Sequence, residues 1–179
     1  PSSHDWYIEY TPDQFSVLRN IVLAHAPVKS FPCVIDVGCG DSSLCREMSR
    51  DNYLAVATDL ARSAGVAQCG SSFVHCSAGS LPFAQHSFDI AVEKGTIDAM
   101  CCSKASGKGR ADAVSLLREC ARVVRPGGWV FSVSYASPEQ RVPLLREGLG
   151  GDGGDTARAL EVQTLSWRVQ CGSRNGFNG

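Results

Sequence analysis

Short apolar runs alternate with amphipathic stretches along this chain of 179 residues. The run Cys33–Val37 is mostly apolar and ends in a glycine-rich turn, which is typical of a buried parallel strand. Similar short runs bounded by turn residues predict further strands at 53–58, 73–76, 88–92, 129–135 and 159–169.

The stretches between these runs have helical periodicity. Thr11 can cap a helix, Pro12 suits its first turn and Gln14 completes a capping box, so a first helix is predicted from Thr11 to about residue 25. The small, polar and basic segment 103–109 is predicted to be a loop. Further helices are predicted at 42–48, at 61–68, from 110 until the Pro-Gly-Gly at 126–128, and at 137–147.

The order of these elements predicts the fold class. Strands that alternate with helices indicate an α/β, doubly wound, mostly parallel sheet with helices on both faces. Right-handed crossovers bring the carboxyl ends of the strands to one edge, where ligands bind in such folds. We expect a single domain over residues 1–179, with an N-terminal arm at 1–10 and a frayed end at 170–179.

Charge and cysteine content narrow the class of partner. The net charge is -1 and no long apolar run occurs, so neither a nucleic-acid nor a membrane partner is expected. The 9 cysteines lack zinc spacing, so we predict no metal site and expect free thiols in the reducing cytoplasm. The chain starts at Pro1, so the natural N-terminus is expected to be missing, and a mitochondrial location is the alternative. The oligomeric state is left open.

The turn after the first strand is a candidate ligand site. Gly38 and Gly40 allow a tight turn and a close approach of a ligand to the backbone. The helix predicted to begin near Ser42 would point free N–H groups at the same place. The alternative is a plain strand-to-helix turn without a ligand.

An acidic residue strengthens this candidate. Asp59 ends the second predicted strand, 19 residues after Gly40, which is close to the spacing at which nucleotide folds bind ribose hydroxyls. A dinucleotide would favour a third glycine where this chain has Ser43, and Asp36 would repel its pyrophosphate. The Asp36 carboxylate suits the cationic sulfonium and amino groups of S-adenosylmethionine. The pattern therefore favours S-adenosylmethionine over NAD.

Four short motifs resemble class I S-adenosylmethionine-dependent methyltransferases. The Asp-Val-Gly-Cys-Gly-Asp-Ser-Ser run at 36–43 looks like their first motif. The narrower Glu-Lys-Gly-Thr-x-Asp-Ala run at 93–99 resembles the methyltransferase-like branch that modifies lysines of elongation factor 1-alpha and citrate synthase. The segments 5–7 and 125–128 are also similar to that branch. The resemblance extends over about residues 5 to 136.

The resemblance implies a role for each matching residue. Trp6 would close over the cofactor, and the turn would face its methionine part. Asp59 would hold the ribose, Leu60 would pack on the adenine, and Lys94 would line the transfer pocket. Trp6, Tyr7 and Tyr10 could form an aromatic cage for the cofactor sulfonium, or else a hydrophobic anchor for the N-terminal arm. The implied cofactor site is thus Trp6, Tyr10, Asp36, Gly38, Cys39, Gly40, Asp59, Leu60, Ser77, Ala78, Glu93 and Lys94.

Transfer to a lysine needs a neutral amine, and deprotonating it at pH 7 costs roughly 4–5 kcal/mol. Desolvation and a nearby cation such as Lys94 would lower that cost. Glu93 and Asp98 could orient the amine by accepting its N–H bonds. The alternatives are a surface position for Lys94 and a helix-start position for Asp98. Glu93, Lys94 and Asp98 are the predicted catalytic residues, and a lysine-bearing protein is the expected partner.

Two departures from the family keep other functions open. The family usually has an acidic residue near Ser77, so weaker cofactor binding is expected here. Its sheet ends in an antiparallel hairpin, of which only one strand is recognisable, so truncation at the C-terminal hairpin is expected. A small-molecule methyltransferase and a silent cofactor-binding or scaffold module are therefore the alternatives to protein-lysine methylation. An NAD-linked oxidoreductase is disfavoured by Ser43.

Overall fold

The computed structural model describes residues 10–11, 16–61, 72–102 and 108–150. The chain order of its elements is α1 (Val17–His25), β1 (Cys33–Val37), α2 (Leu44–Arg50), β2 (Leu54–Asp59), β3 (Phe73–His75), β4 (Phe88–Lys94), α3 (Thr96–Cys102), α4 (Gly109–Val123), β5 (Val124–Val133) and α5 (Pro138–Leu149). Among the described helices, none is both long and apolar enough to cross a bilayer.

The five strands form one parallel sheet in the order β3-β2-β1-β4-β5. Apolar side chains pack on both of its faces. One cluster joins α4 and α5 to the sheet, and the other joins α1 and α2 to it. The predicted doubly wound α/β fold is confirmed. The predicted helix at 61–68 lies almost entirely outside the described residues. The predicted strand at 159–169, the C-terminal hairpin and the frayed end lie entirely outside them.

The predicted start of the first helix is wrong. Ser16, not Thr11, is the N-cap of α1, and its hydroxyl accepts a hydrogen bond from the backbone N–H of Arg19 at 3.3 Å. A serine side chain reaches the free N–H groups of the first turn as well as the predicted threonine would have done. Residues 12–15 lie outside the described part of the chain.

The Pro-Gly-Gly at 126–128 was predicted to stop the fourth long helix, and this is also wrong. Helix α4 ends at Val123 and β5 begins at Val124, so the three residues lie inside the strand. They form an irregularity, because the pairing shifts between Phe88 with Val124 and Ile90 with Trp129. Such a bulge on an edge of the described sheet tolerates proline.

The start of β5 is tied to its neighbours at the amino-terminal edge of the sheet. Arg125 forms an ion pair with Asp89 of β4, and donates a hydrogen bond to the carbonyl of Ser30 at 2.9 Å. Asp89 also accepts a bond from the backbone N–H of Cys33 at 2.8 Å. Three chain segments are therefore joined at the edge opposite to the predicted ligand site.

Candidate functional site

The glycine turn lies at the carboxyl edge of the sheet, as predicted. The N–H groups of Gly38 and Cys39 both donate to the carbonyl of Thr58, at 2.8 and 2.9 Å, so the turn is fixed on β2. A Cβ on Gly38, whose φ is +76°, would come within 2.4 Å of the Thr96 methyl carbon. Gly38 therefore makes room for Thr96, whose hydroxyl donates to the Val37 carbonyl at 2.9 Å.

Gly40 has a different surrounding. Its φ is +50°, and a Cβ built on it would meet no described atom within 4 Å. Its N–H donates to one carboxylate oxygen of Asp59 at 2.8 Å, and the N–H of Ala61 donates to the other at 2.8 Å. A carboxylate has about four acceptor sites, so Asp59 keeps capacity for ribose hydroxyls. Among the described residues, this is an open space beside an acidic acceptor, which fits the ribose and the adjoining methionine part of S-adenosylmethionine.

Other predicted cofactor residues surround this space or underlie it. Leu60, next to Asp59, is 66% exposed and offers an apolar surface at the same edge. Asp36 is buried in β1 below the turn, and its carbonyl accepts a bond from the Thr58 hydroxyl at 3.0 Å. Cys39 is buried, Ser77 is exposed and Ala78 is buried behind it.

Glu93 is fully buried near the end of β4. One oxygen accepts a bond from the Ser132 hydroxyl, and the other accepts the backbone N–H of Ile97 at 3.2 Å. Burial raises the pKa of Glu93 to about 7, although the two hydrogen bonds and the charge of Arg141 oppose this change. The side chain therefore titrates near neutral pH.

Asp98 lies in the first turn of α3, the helix that follows β4. Its side chain binds the segment after β5. Its carboxylate accepts the Ser134 hydroxyl at 2.8 Å and the backbone N–H of Tyr135 at 3.0 Å. It also forms an ion pair with Arg141 of α5. These contacts place Asp98 in the framework of the site, and its predicted role towards the amine stays a prediction.

The remaining predicted residues are only partly brought together. Lys94 ends β4 at the carboxyl edge, in register with Val133 of β5. Tyr10 does not reach that edge, because its hydroxyl donates to Asp51 at 2.6 Å, near the amino-terminal edge. Its contacts favour the anchoring alternative over the aromatic cage. Trp6 lies outside the described residues.

Arg141 and Ser134 were missed by sequence reasoning. Arg141 is buried, 43 residues away from its partner Asp98. Its only sequence signal is its charge within the predicted helix at 137–147. Because a charge in an amphipathic helix is normally assigned to the exposed face, the sequence did not indicate that Arg141 is buried. No group of three or more His, Cys, Asp or Glu side chains that could hold a metal occurs within the described ranges.

Residues 35–132 match the family described as methyltransferase domain. The chain belongs to this family. Its expected resemblance to S-adenosylmethionine-dependent methyltransferases is confirmed, and S-adenosylmethionine is the cofactor of the class. The matched region contains the glycine turn, Asp59 and the Glu93–Lys94 strand end, while Arg141 lies beyond it.

Similar proteins include enzymes with different acceptors. A citrate synthase-lysine N-methyltransferase from Homo sapiens, named as mitochondrial, is 31% identical and the match covers 82% of this chain and 68% of that protein. A ubiquinone biosynthesis O-methyltransferase from Albidiferax ferrireducens is 32% identical over 78% and 58%. An EEF1A lysine methyltransferase 4 from Bos taurus is 25% identical over 77% and 56%. The chain thus spans little more than half the length of two of these relatives.

A solved structure supports the fold. A putative methyltransferase of an antibiotic biosynthesis pathway from Anabaena variabilis has a TM-score of 0.56 at 12% identity, with 74% of this chain and 60% of that chain covered. The methyltransferase domain therefore has the class I sheet.

Proposed function

We propose that this domain transfers a methyl group from S-adenosylmethionine to a lysine side chain of a protein. The observation that carries the proposal is the position of the Glu-Lys-Gly-Thr-x-Asp-Ala run. Glu93 and Lys94 end β4, next to β1 and its glycine turn, so the narrow motif and the general cofactor motif share one edge. Two of the similar proteins described above are lysine methyltransferases by name.

The cofactor, when bound, supplies an already activated methyl group, so the protein mainly has to position and desolvate the acceptor. The space at Gly40 would take the methionine part of the cofactor, and the carboxylate of Asp59 would hold its ribose. Leu60 would cover an apolar face of the adenine. The chain therefore offers binding and orientation, and it needs no metal for this step.

The acceptor amine has to lose its proton before it attacks. Lys94 at the strand end would favour the neutral amine through like-charge repulsion. The released proton can pass to solvent at the open edge, while the buried carboxylate of Glu93 holds the start of α3 through the N–H of Ile97. Glu93 thereby helps to set the shape and the charge of the part of the site that would receive the acceptor lysine.

A small-molecule acceptor is the second candidate. The observation that favours it is the 32% identity to the ubiquinone biosynthesis O-methyltransferase, which acts on a hydroxyl group by name. A cofactor-binding module without turnover is the third candidate. The cytoplasmic location stays a prediction, and the name of the human relative supports the mitochondrial alternative.

The first test is cofactor binding. Thermal unfolding is measured with S-adenosylmethionine, S-adenosylhomocysteine and NAD, for the wild type, Asp59→Ala and Asp112→Ala, an exposed control on α4. A ligand at 100 times its dissociation constant adds about 2.7 kcal/mol, or roughly 5–10 °C. We expect this rise with the two adenosyl compounds, its loss in Asp59→Ala and its retention in Asp112→Ala. A rise with NAD alone would contradict the proposal.

The second test is the acceptor. Tritium transfer from labelled S-adenosylmethionine is measured with purified citrate synthase, purified elongation factor 1-alpha and a protein-free metabolite extract. Label on a lysine of either protein supports lysine methylation. Label only in the extract supports the second candidate. Cofactor binding without any transfer supports the third.

A further inference from the structure

The segment that follows β5, residues 134–137, is fixed by polar contacts at the carboxyl edge of the sheet. The backbone N–H of Tyr135 donates to Asp98 at 3.0 Å, and the hydroxyl of Ser134 donates to the same carboxylate at 2.8 Å. The N–H of Ala136 in turn donates to the Ser134 hydroxyl at 2.9 Å. The shape of the post-β5 segment is therefore set by one carboxylate on α3.

Arg141 completes this cluster from α5. Its guanidinium forms an ion pair with Asp98, and its Nε and Nη2 donate to the Ser134 hydroxyl at 3.0 and 2.7 Å. The side chains of Arg141 and Asp98 are only 8% and 11% exposed. Removing two charges from water is costly, so such a pair is weak support for stability and better explained by a need for defined geometry.

The cluster lies where an acceptor would approach. Val133, the residue before the segment, is in register with Lys94 on β4. Tyr135 is 52% exposed at this edge, although its backbone N–H is held by Asp98. Arg141 is also close enough to Glu93 for its charge to lower the pKa of that carboxyl. The cofactor side, by contrast, is formed by β1 and β2.

We propose that Arg141 is a positioning residue that, through Asp98 and Ser134, holds the post-β5 segment as one wall of the methyl-acceptor site. This inference rests on the proposed methyl transfer. It assigns Arg141 to the acceptor side of the site, separate from the cofactor side at Gly40 and Asp59.

The test compares Arg141→Met and the milder Ser134→Ala with Arg125→Met. Arg125 also forms an ion pair between strand β5 and an aspartate, but at the opposite edge of the sheet. Three quantities are measured: amide hydrogen exchange of residues 134–137 relative to β1 in the same variant, the dissociation constant of S-adenosylmethionine, and the KM for whichever of citrate synthase and elongation factor 1-alpha is methylated. Arg141→Lys keeps the charge but lacks the planar fork.

We expect exchange at Tyr135 to rise at least tenfold in Arg141→Met and Ser134→Ala, with intermediate values in Arg141→Lys and no change in Arg125→Met. The dissociation constant of S-adenosylmethionine should stay within about threefold of wild type, whereas the acceptor KM rises at least fivefold. Unchanged exchange, an unchanged acceptor KM, or a loss of cofactor affinity as large as that of Asp59→Ala would overturn the inference. If Arg141→Met does not fold, Ser134→Ala decides.

Failure of the proposed function looks different. In that case the wild type binds S-adenosylmethionine and labels neither protein. The exchange and affinity measurements then still decide whether Arg141 holds the segment independently of the cofactor side.

Discussion

Two Arg–Asp pairs join β5 to the rest of the molecule, one at each edge of the sheet. Arg125 and Asp89 meet at the amino-terminal edge, where the arginine is 39% exposed. Arg141 and Asp98 meet at the carboxyl edge, where the arginine is 8% exposed. The two carboxylates are equally shielded, at 12% and 11% exposed, so the pairs differ in how far the guanidinium is removed from water.

The partners of the two pairs differ as well. Asp89 and Arg125 bind backbone groups of the loop before β1, so they close an edge that carries no predicted ligand residue. Asp98 and Arg141 bind the segment beside Lys94 and leave Tyr135 exposed. The pair with the desolvated guanidinium thus lies at the edge of the proposed site, and the pair with the partly solvated guanidinium lies at the opposite edge.

The largest difference should appear in stability. Arg141→Met removes a guanidinium that is only 8% exposed and leaves the partly buried carboxylate of Asp98 without its cation, which water cannot readily replace there, so the free energy of unfolding should fall by about 3–5 kcal/mol. Arg125→Met should cost only about 1 kcal/mol, because the guanidinium is partly solvated and Asp89 keeps the N–H of Cys33. Urea unfolding measures both. Equal losses at the two edges would break the comparison.

The second prediction concerns pH. Burial raises the pKa of Glu93 to about 7, and Asp98, Arg141, Ser132 and Cys120 face it. The unfolded value is about 4.3, so the folded state binds more protons between these two pH values. The free energy of unfolding should therefore fall as the pH rises through this window, by on the order of 3 kcal/mol.

Glu93→Gln is the variant that tests the pH effect. It should lose most of the fall between pH 4.5 and about 8, whereas a variant at the exposed Glu139 should keep it. Urea unfolding at several pH values gives the slopes. Parallel slopes for the wild type and Glu93→Gln would show that another group is responsible.

A third, smaller contrast concerns glycines. Gly38 and Gly127 have nearly the same φ, +76° and +77°, at opposite edges. Alanine at either position should cost about 1–2 kcal/mol for the left-handed backbone. At Gly38 the new methyl would also collide with Thr96, which adds roughly 1–3 kcal/mol, whereas at Gly127 it meets no described atom within 4 Å. A larger loss in Gly127→Ala, measured by urea unfolding, would contradict this account.

The smallest effects are expected from alanine substitution of two exposed leucines at the ends of β2. Leu60 and Leu54 are 66% and 67% exposed, so alanine at either should change stability by less than about 0.5 kcal/mol. Leu60→Ala should raise the dissociation constant of S-adenosylmethionine about three- to tenfold, because it removes apolar surface beside Asp59. Leu54→Ala should leave it unchanged. Calorimetric titration measures both, and equal affinities would remove Leu60 from the cofactor site.

Strands and their common edge could be predicted from the sequence because buried parallel strands leave apolar runs. The spacing between Gly40 and Asp59 similarly anticipated that they lie together, and a 2.8 Å hydrogen bond joins them. Their role in binding cofactor stays a prediction. Local signals were less reliable, since Thr11 and Ser16 are both residue types that cap helices and the structure uses Ser16.

Contacts between residues that are far apart in the sequence could not be predicted from the sequence pattern. Arg141 and Asp98 are brought together because α5 packs on α4, which also packs on α3, and neither α3 nor α5 indicates the other by its periodicity. Tyr10 carries the ring that a cage requires, yet its hydroxyl binds a carboxylate at the far edge. The glycines at 127 and 128 signalled a break, although the strand accommodates them as a bulge.

Gly40 differs from Gly38 in one respect that matters for work in cells. A side chain built at this position would enter the space beside Asp59, and its Cβ would have no described atom within 4 Å. A larger residue there would cost about 1–2 kcal/mol for the left-handed backbone, as at Gly127, and would occupy the volume proposed for the cofactor without a collision with the described framework. Gly40 is therefore the position at which a protein that is present but inactive could be made, so that the effects of methylation are separated from those of the protein's mere abundance.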